Sequence, residues 1–162
     1  MSTDLRRSAQ RVQEFLSQLD GECVVRELDG STRTAQDAAD SIGCTVAQIA
    51  KSLVFRVRGE DRAVLVVASG VNRVDTGKIG AATGLSLQRA DGNYVKKATG
   101  FAIGGIPPAG HAEPLVTFLD ADLRQYEVIW AAAGTPHAVF RLTPDKLHAL
   151  TRGQWMDLRE EK

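Results

Sequence analysis

Residues 52–68 read SLVFRVRGEDRAVLVVA, and this stretch decides the fold. Two β-rich runs, residues 52–57 and 63–68, flank the polar turn Arg58-Gly59-Glu60-Asp61, the pattern of two strands joined by a turn. Upstream, residues 45–50 read as a short helix opened by a capping-box pattern, Thr45 with Gln48 three places on. Gly43 separates it from a second short helix over residues 34–41, and residues 23–28 alternate as a strand does. At the start of the chain, Leu5, Ala9, Val12, Phe15, Leu16 and Leu19 share one stripe of a helix over residues 3–19, with Ser2 or Thr3 as its N-cap. Downstream, residues 76–83 predict a helix stopped by Gly84, residues 85–89 a strand and residues 93–98 a helical turn. Residues 100–110 are rich in Gly and Pro and follow no period. Strands are expected over residues 115–119, 127–132 and 138–142, the last two joined through Gly134-Thr135-Pro136. A closing helix over residues 144–150 has Thr143 as cap and Pro144 at its first position. Strands and short helices mix throughout, without a repeat or a low-complexity linker. The expected fold is α/β (α+β): residues 1–162 as one domain on a mixed sheet, with the helix of residues 1–20 packed on it.

The bulk composition narrows the function. A chain of 162 residues with 43% hydrophobic and 25% charged side chains builds an ordinary globular core. Lys plus Arg equals Asp plus Glu at 20 each, so the net charge is zero. A protein that grips nucleic acid chiefly through phosphates carries a basic excess, so any RNA contact here comes from a local patch and is weak. Cys23 and Cys44 lie in no C-x-x-C or zinc spacing and read as reduced structural thiols. No apolar run resembles a signal peptide or approaches the ~20 residues of a membrane span, which points to a cytoplasmic protein without membrane contact.

Four places carry candidate chemistry. Residues 34–52 have the helix, Gly turn and helix of a DNA-binding motif, but the second helix offers only Gln48 and Lys51 to a base edge, so two structural helices are expected and no DNA partner. Lys51 stands where that helix gives way to an apolar strand. It is either a surface charge complementing the helix dipole or an ammonium at a pocket edge, able to bind phosphate or polarise a carbonyl. The run Gly104-Gly105-Ile106-Pro107-Pro108-Ala109-Gly110 joins close backbone approach to rigidity, and the N–H groups of Gly104, Gly105 and Ile106 are candidates to face an oxyanion. His137, after Gly134-Thr135-Pro136, begins a strand and points either to a cleft or to solvent. His111 and His148 show no metal-binding spacing, and there is neither a Gly-x-Ser-x-Gly elbow nor a Cys–His pair, so no protein nucleophile is evident.

Taken in order, these segments resemble the YbaK/EbsC family, which includes free-standing relatives of the prolyl-tRNA synthetase editing domain. The resemblance runs from about residue 34 to residue 158. It rests on Thr34-Ala35, Ala38-Ala39 and Gly43; on IAKSLVF at residues 49–55; on a G-x-x-x-P-x-G loop met by Gly104, Pro108 and Gly110; on AGTPHAVF at residues 133–140; and on LTPDKL at residues 142–147. It implies a curved mixed sheet flanked by helices and a metal-independent hydrolase, without cofactor, that deacylates mischarged tRNA. In that reading Lys51 is the catalytic residue, water helped by the ribose hydroxyl attacks the ester, and Gly104, Gly105, Ile106, Pro107, Pro108 and Gly110 hold the aminoacyl group. His137 matches a histidine of the synthetase-embedded domains. The implied partner is the tRNA acceptor end, with tRNA for proline carrying Cys, Ala or another small amino acid as substrate and prolyl-tRNA synthetase as associate. An alternative keeps the fold as a non-catalytic module that binds tRNA or a synthetase; a DNA regulator is a third reading.

Overall fold

The computed structural model of the protein describes residues 7–19 and 23–161. Its centre is the predicted strand pair: β2 (Ile49–Val57) runs antiparallel to β3 (Ala63–Ser69), in register from Ala50↔Ser69 to Arg56↔Ala63. Gly59 makes the connecting turn at φ +79°, a backbone angle that suits glycine. Beyond β3 lie β5 (Val116–Asp120) and then β8 (Gln154–Met156), both parallel to their neighbours. On the other side β2 meets β6 (Ile129–Ala132) in parallel, and β7 (Ala138–Leu142) and β1 (Val25–Glu27) follow antiparallel. The short β4 (Leu87–Arg89) pairs with the far end of β2, along the same side as β6. The result is the mixed eight-stranded sheet expected of the fold class.

Both faces of this sheet are covered, which is why residues 63–68 form a continuous apolar run rather than an alternating one. Leu65, Val67 and Leu119 point to one face and pack with Ala9, Val12 and Leu16 of α1 (Arg7–Leu19) and Leu147 of α5 (Pro144–Thr151). Val64, Val66, Ala68 and Phe118 point to the other, with Ile79 of α3 (Thr76–Thr83) and Leu158. A third cluster joins Ala38 and Ala39 of α2 (Ala35–Ile42) to Ile49, Trp130 and Val139. Thr34 caps α2 by accepting from the Asp37 N–H, Asp91 caps α4 (Gly92–Thr99), and Thr143 caps α5 with Pro144 at its first position.

Several expectations need correction. The helix expected over residues 45–50 is a short 3-10 turn, Val46–Gln48, and the chain is already a strand at Ile49. Ile49 is β-branched, pairs with Trp130 and accepts the Gly70 N–H; these long-range bonds override the local helix signal. The helix-turn-helix reading loses its second helix, and Lys51 lies inside β2 rather than at a helix end. Leu19, placed on the buried stripe, is 59% exposed. Ser2, Thr3 and Leu5 lie outside the described residues. Strand β8 and a 3-10 turn over Ala121–Gln125 were not foreseen, being too short to show a period. No helix of the described residues is long and apolar enough to cross a membrane.

Candidate functional site

The two edges of β2 are bonded differently, and the site follows from that. Ile49 accepts from Gly70 and Val57 donates to Arg62, so the odd-numbered residues of β2 turn their backbone groups toward β3. Ala50, Ser52, Val54 and Arg56 turn theirs to the opposite edge. There β6 covers only Ile49 and Ala50, and β4 only Phe55 to Val57. Between these partners the edge lies open from Lys51 to Val54. A cavity of about 400 Å³ occupies the gap.

Its walls are mostly apolar, with Ala38, Ile49, Val54, Val95, Ile106 and Trp130 among them. Three cations also line it: Arg33, Lys51 and Arg89, and no Asp or Glu does. The chain is neutral overall, yet the charged side chains that line this cavity are all cationic. Lys51 pairs with Ala68 on β3, and Asp120 follows directly on the last β3–β5 pair, Val67↔Leu119. Asp120 is buried and held by three donors: Oδ2 accepts from the Ser69 N–H (3.0 Å) and Asn72 Nδ2 (2.8 Å), and Oδ1 from the Asp122 N–H (3.0 Å). Burial pushes the Lys51 pKa below its ordinary value, Arg73 pushes it further down, and Asp120 pulls the other way. Lys51 Nζ shows no hydrogen bond or ion pair to another described residue, which leaves its protons for a ligand.

The glycine-rich segment supplies a second wall at Gly104 and Ile106. The Gly105 N–H donates to Ala102 O (3.2 Å), closing a turn with Gly104 at φ +99°. Gly105 is thereby withdrawn from the set of three candidate oxyanion donors. The N–H groups of Gly104 and Ile106 donate to no described residue. Gly105 serves contact instead: its carbonyl accepts the Gly134 N–H (2.7 Å), and a Cβ on it would meet the Thr135 backbone at 2.7 Å. Pro107 and Pro108 are buried behind the wall; Pro107 O accepts from His111 Nε2 (2.8 Å), while Gly110 packs near Phe15, away from the cavity. His137 does not line the cavity either. Its ring is exposed and Nδ1 donates to Gly30 O (3.1 Å), tying the β6–β7 turn to the segment that carries Thr32 and Arg33.

The structure thus brings Lys51, Gly104 and Ile106 together and sets Gly105, Pro107, Pro108, Gly110 and His137 around or behind them. Sequence reasoning missed Thr32, Arg33, Ser52 and Arg89. Only Ser52 carried a signal, as the neighbour of Lys51 in IAKSLVF. Among the described residues no group of three or more His, Cys, Asp or Glu stands together as a metal site. Ser52 Oγ makes no hydrogen bond to a base, so nothing activates it as a nucleophile.

Residues 29–150 match the family model of the aminoacyl-tRNA editing domain. Over 152 residues the chain is 32% identical to YwhH of Bacillus subtilis, an uncharacterised protein, covering 93% of this chain and 96% of that one. It is 28% identical over 126 residues to EbsC of Enterococcus faecalis, a candidate Cys-tRNA(Pro)/Cys-tRNA(Cys) deacylase, covering 77% of this chain and 76% of EbsC. The crystal structure of a candidate trans-editing enzyme for prolyl-tRNA synthetase matches with a TM-score of 0.91 at 48% identity, over 98% of this chain and all of that one.

Proposed function

The chain belongs to the YbaK/EbsC family of aminoacyl-tRNA editing domains, and on that premise we propose that it hydrolyses the ester joining a small amino acid to the 3′ end of tRNA. The observation that carries this reading is the basic, acid-free cavity at the open edge of β2, with Lys51 half-buried in its wall. An aminoacyl ester is already activated, so the protein has only to place water and stabilise the charge that develops on the carbonyl oxygen. Water adds to the carbonyl carbon, the tetrahedral intermediate collapses, and the ribose oxygen leaves with a proton. The products are the free amino acid and uncharged tRNA. Lys51 supplies positive charge beside the oxyanion, with the N–H groups of Gly104 and Ile106 as further donors. Arg33 and Arg89 face the phosphates of the terminal nucleotides. No step needs a metal, so a chelator leaves the rate unchanged.

The names of two relatives make tRNA for proline the first substrate to try. With zero net charge the protein holds tRNA weakly, and prolyl-tRNA synthetase is the natural source of mischarged tRNA for it. The test is a deacylation panel on tRNA for proline carrying Ala, Cys, Ser or Thr, corrected for spontaneous hydrolysis. We expect release from at least one, lost on Lys51→Ala. Binding of tRNA without release from any of them would replace the enzyme by a binding module. Because Lys51 acts as the cation, the alkaline limb of kcat/KM should fall below the ordinary lysine value of 10.5.

A further inference from the structure

Asp120 is 1% exposed, and the reaction described above does not use it. Taking a carboxylate out of water is costly unless charge or hydrogen bonds compensate. Three donors do so here, the Ser69 N–H, Asn72 Nδ2 and the Asp122 N–H, and an ionised carboxylate accepts from all of them. No cation among the described residues is in ion-pair contact with it. Asn72 Nδ2 donates also to Asp122 Oδ2 (2.8 Å), which accepts from Arg159 Nη1 as well (3.1 Å). Arg159 forms a β-bridge with Val74, while the Asp75 N–H donates to Leu158 O (2.7 Å) and the Glu160 N–H to Arg73 O (2.8 Å). Residues 158–160 thus clamp the segment after β3, and Asn72 of that segment holds the carboxylate.

This carboxylate is anchored one peptide unit from the backbone of Lys51. Lys51 pairs with Ala68, and the N–H of the next residue, Ser69, is the one that Asp120 Oδ2 accepts at 3.0 Å. At that remove an opposite charge still acts, because half-buried surroundings screen it less than water does. The other charges that line the cavity or act on Lys51 are cations: Arg33, Arg89 and Arg73. Asp122 is engaged by Asn72 and Arg159, and Asp157, beside the Met156 that pairs with Asp120, is turned to Lys78 (3.1 Å). Burial and Arg73 lower the Lys51 pKa, and Asp120 raises it. A carboxylate in direct contact would occupy the protons of the ammonium, whereas one set apart leaves them for the substrate. Resting on the deacylase reading above, we propose that Asp120 is a positioning residue, the fixed counter-charge that keeps the Lys51 ammonium at the reacting carbonyl, with Asn72 holding it there.

The experiment follows Lys51 directly, by competitive labelling with acetic anhydride read by mass spectrometry as the pH is raised. In parallel it takes the pH profile of kcat/KM on the mischarged tRNA that the wild type deacylates fastest, corrected for spontaneous hydrolysis. Asp120→Asn should lower the labelling midpoint of Lys51 by about one pH unit, and the alkaline limb of kcat/KM should move with it. Below both limbs kcat should fall about tenfold with KM nearly unchanged. Asn72→Ala, at a half-buried position, should move the midpoint the same way by less. Arg73→Gln, at an exposed position, should move it upward. Opposite signs for opposite charges are what a merely structural role does not produce. The proposal is overturned by a midpoint unmoved in Asp120→Asn, by one that moves while the alkaline limb does not, or by shifts of the same sign in Asp120→Asn and Arg73→Gln. Should Asp120→Asn fail to fold, Asn72→Ala decides in its place, and an unmoved midpoint there overturns the proposal. A wild type that releases no ester removes the deacylase reading and this role with it. An unmoved midpoint in an active enzyme removes this proposal alone.

Discussion

Along one edge β2 is paired with β3 over seven consecutive residues; along the other it has β6 for two, β4 for three, and nothing between. The paired edge is where the protein is held together. There Val64 to Ser69 are all buried, and each side of β3 feeds a different apolar cluster. The open edge is where the candidate chemistry gathers: a lysine with no hydrogen bond or ion pair to another described residue, and backbone groups of Ser52 that meet no strand. One strand thus does both jobs. Stability sits where hydrogen bonding is complete, and the proposed ligand site lies where it is not.

This contrast can be broken or sharpened by substitution. The largest effect is expected at the open edge: Lys51→Ala should lower kcat/KM by at least about a hundredfold, with an unchanged denaturation midpoint. A variant that loses stability as well would erase the division between the edges. On the paired edge the reverse holds. Leu65→Ala should cost about 2–5 kcal/mol in denaturant unfolding, because Leu65 is fully buried in the largest cluster. Next comes Gly105→Ala, which drives a methyl group into the Thr135 backbone 2.7 Å away and should cost about 1–3 kcal/mol. A raised KM in that variant would show that the wall at Gly104 and Ile106 had moved with it.

Acid stability tests the support behind that wall. Burial holds the His111 imidazole below its ordinary value of 6.5, against the opposing pull of its bond to Pro107 O. The native chain therefore takes up this proton at lower pH than the unfolded chain does. The stabilisation is whole above pH 6.5 and is lost as pH falls through the folded value. Unfolding midpoints measured downward from pH 7 should decline in the wild type and decline less in His111→Gln. The smallest effect is expected from His137→Ala. It removes one exposed bond to Gly30 O and should cost about 1 kcal/mol or less, with a modest change in KM. A loss of kcat comparable to that of Lys51→Ala would bring His137 into the site after all.

What local sequence dictated came through well. The strand pair of residues 52–68 follows from two β-rich runs and a glycine turn. The helix at Pro144–Thr151 follows from Thr143 and Pro144, and α3 from its Gly84 stop, all signals within a few residues of one another. The ordered motifs around Lys51, Gly104 and Gly134 were enough to reach the family. What failed was decided at a distance. Residues 45–50 look helical until Trp130 and Gly70 claim Ile49 as strand. Whether Gly105 offers its N–H depends on the turn it closes with Ala102, and where His137 points depends on Gly30. The cavity exists only because β6 and β4, arriving from residues 129 and 87, stop short of one another along β2. Arg33 and Arg89 come to line one cavity with Lys51 for the same reason. Periodicity, caps and turns are short-range properties that a sequence displays; which edge stays open is set by long-range pairing, which only the folded chain decides.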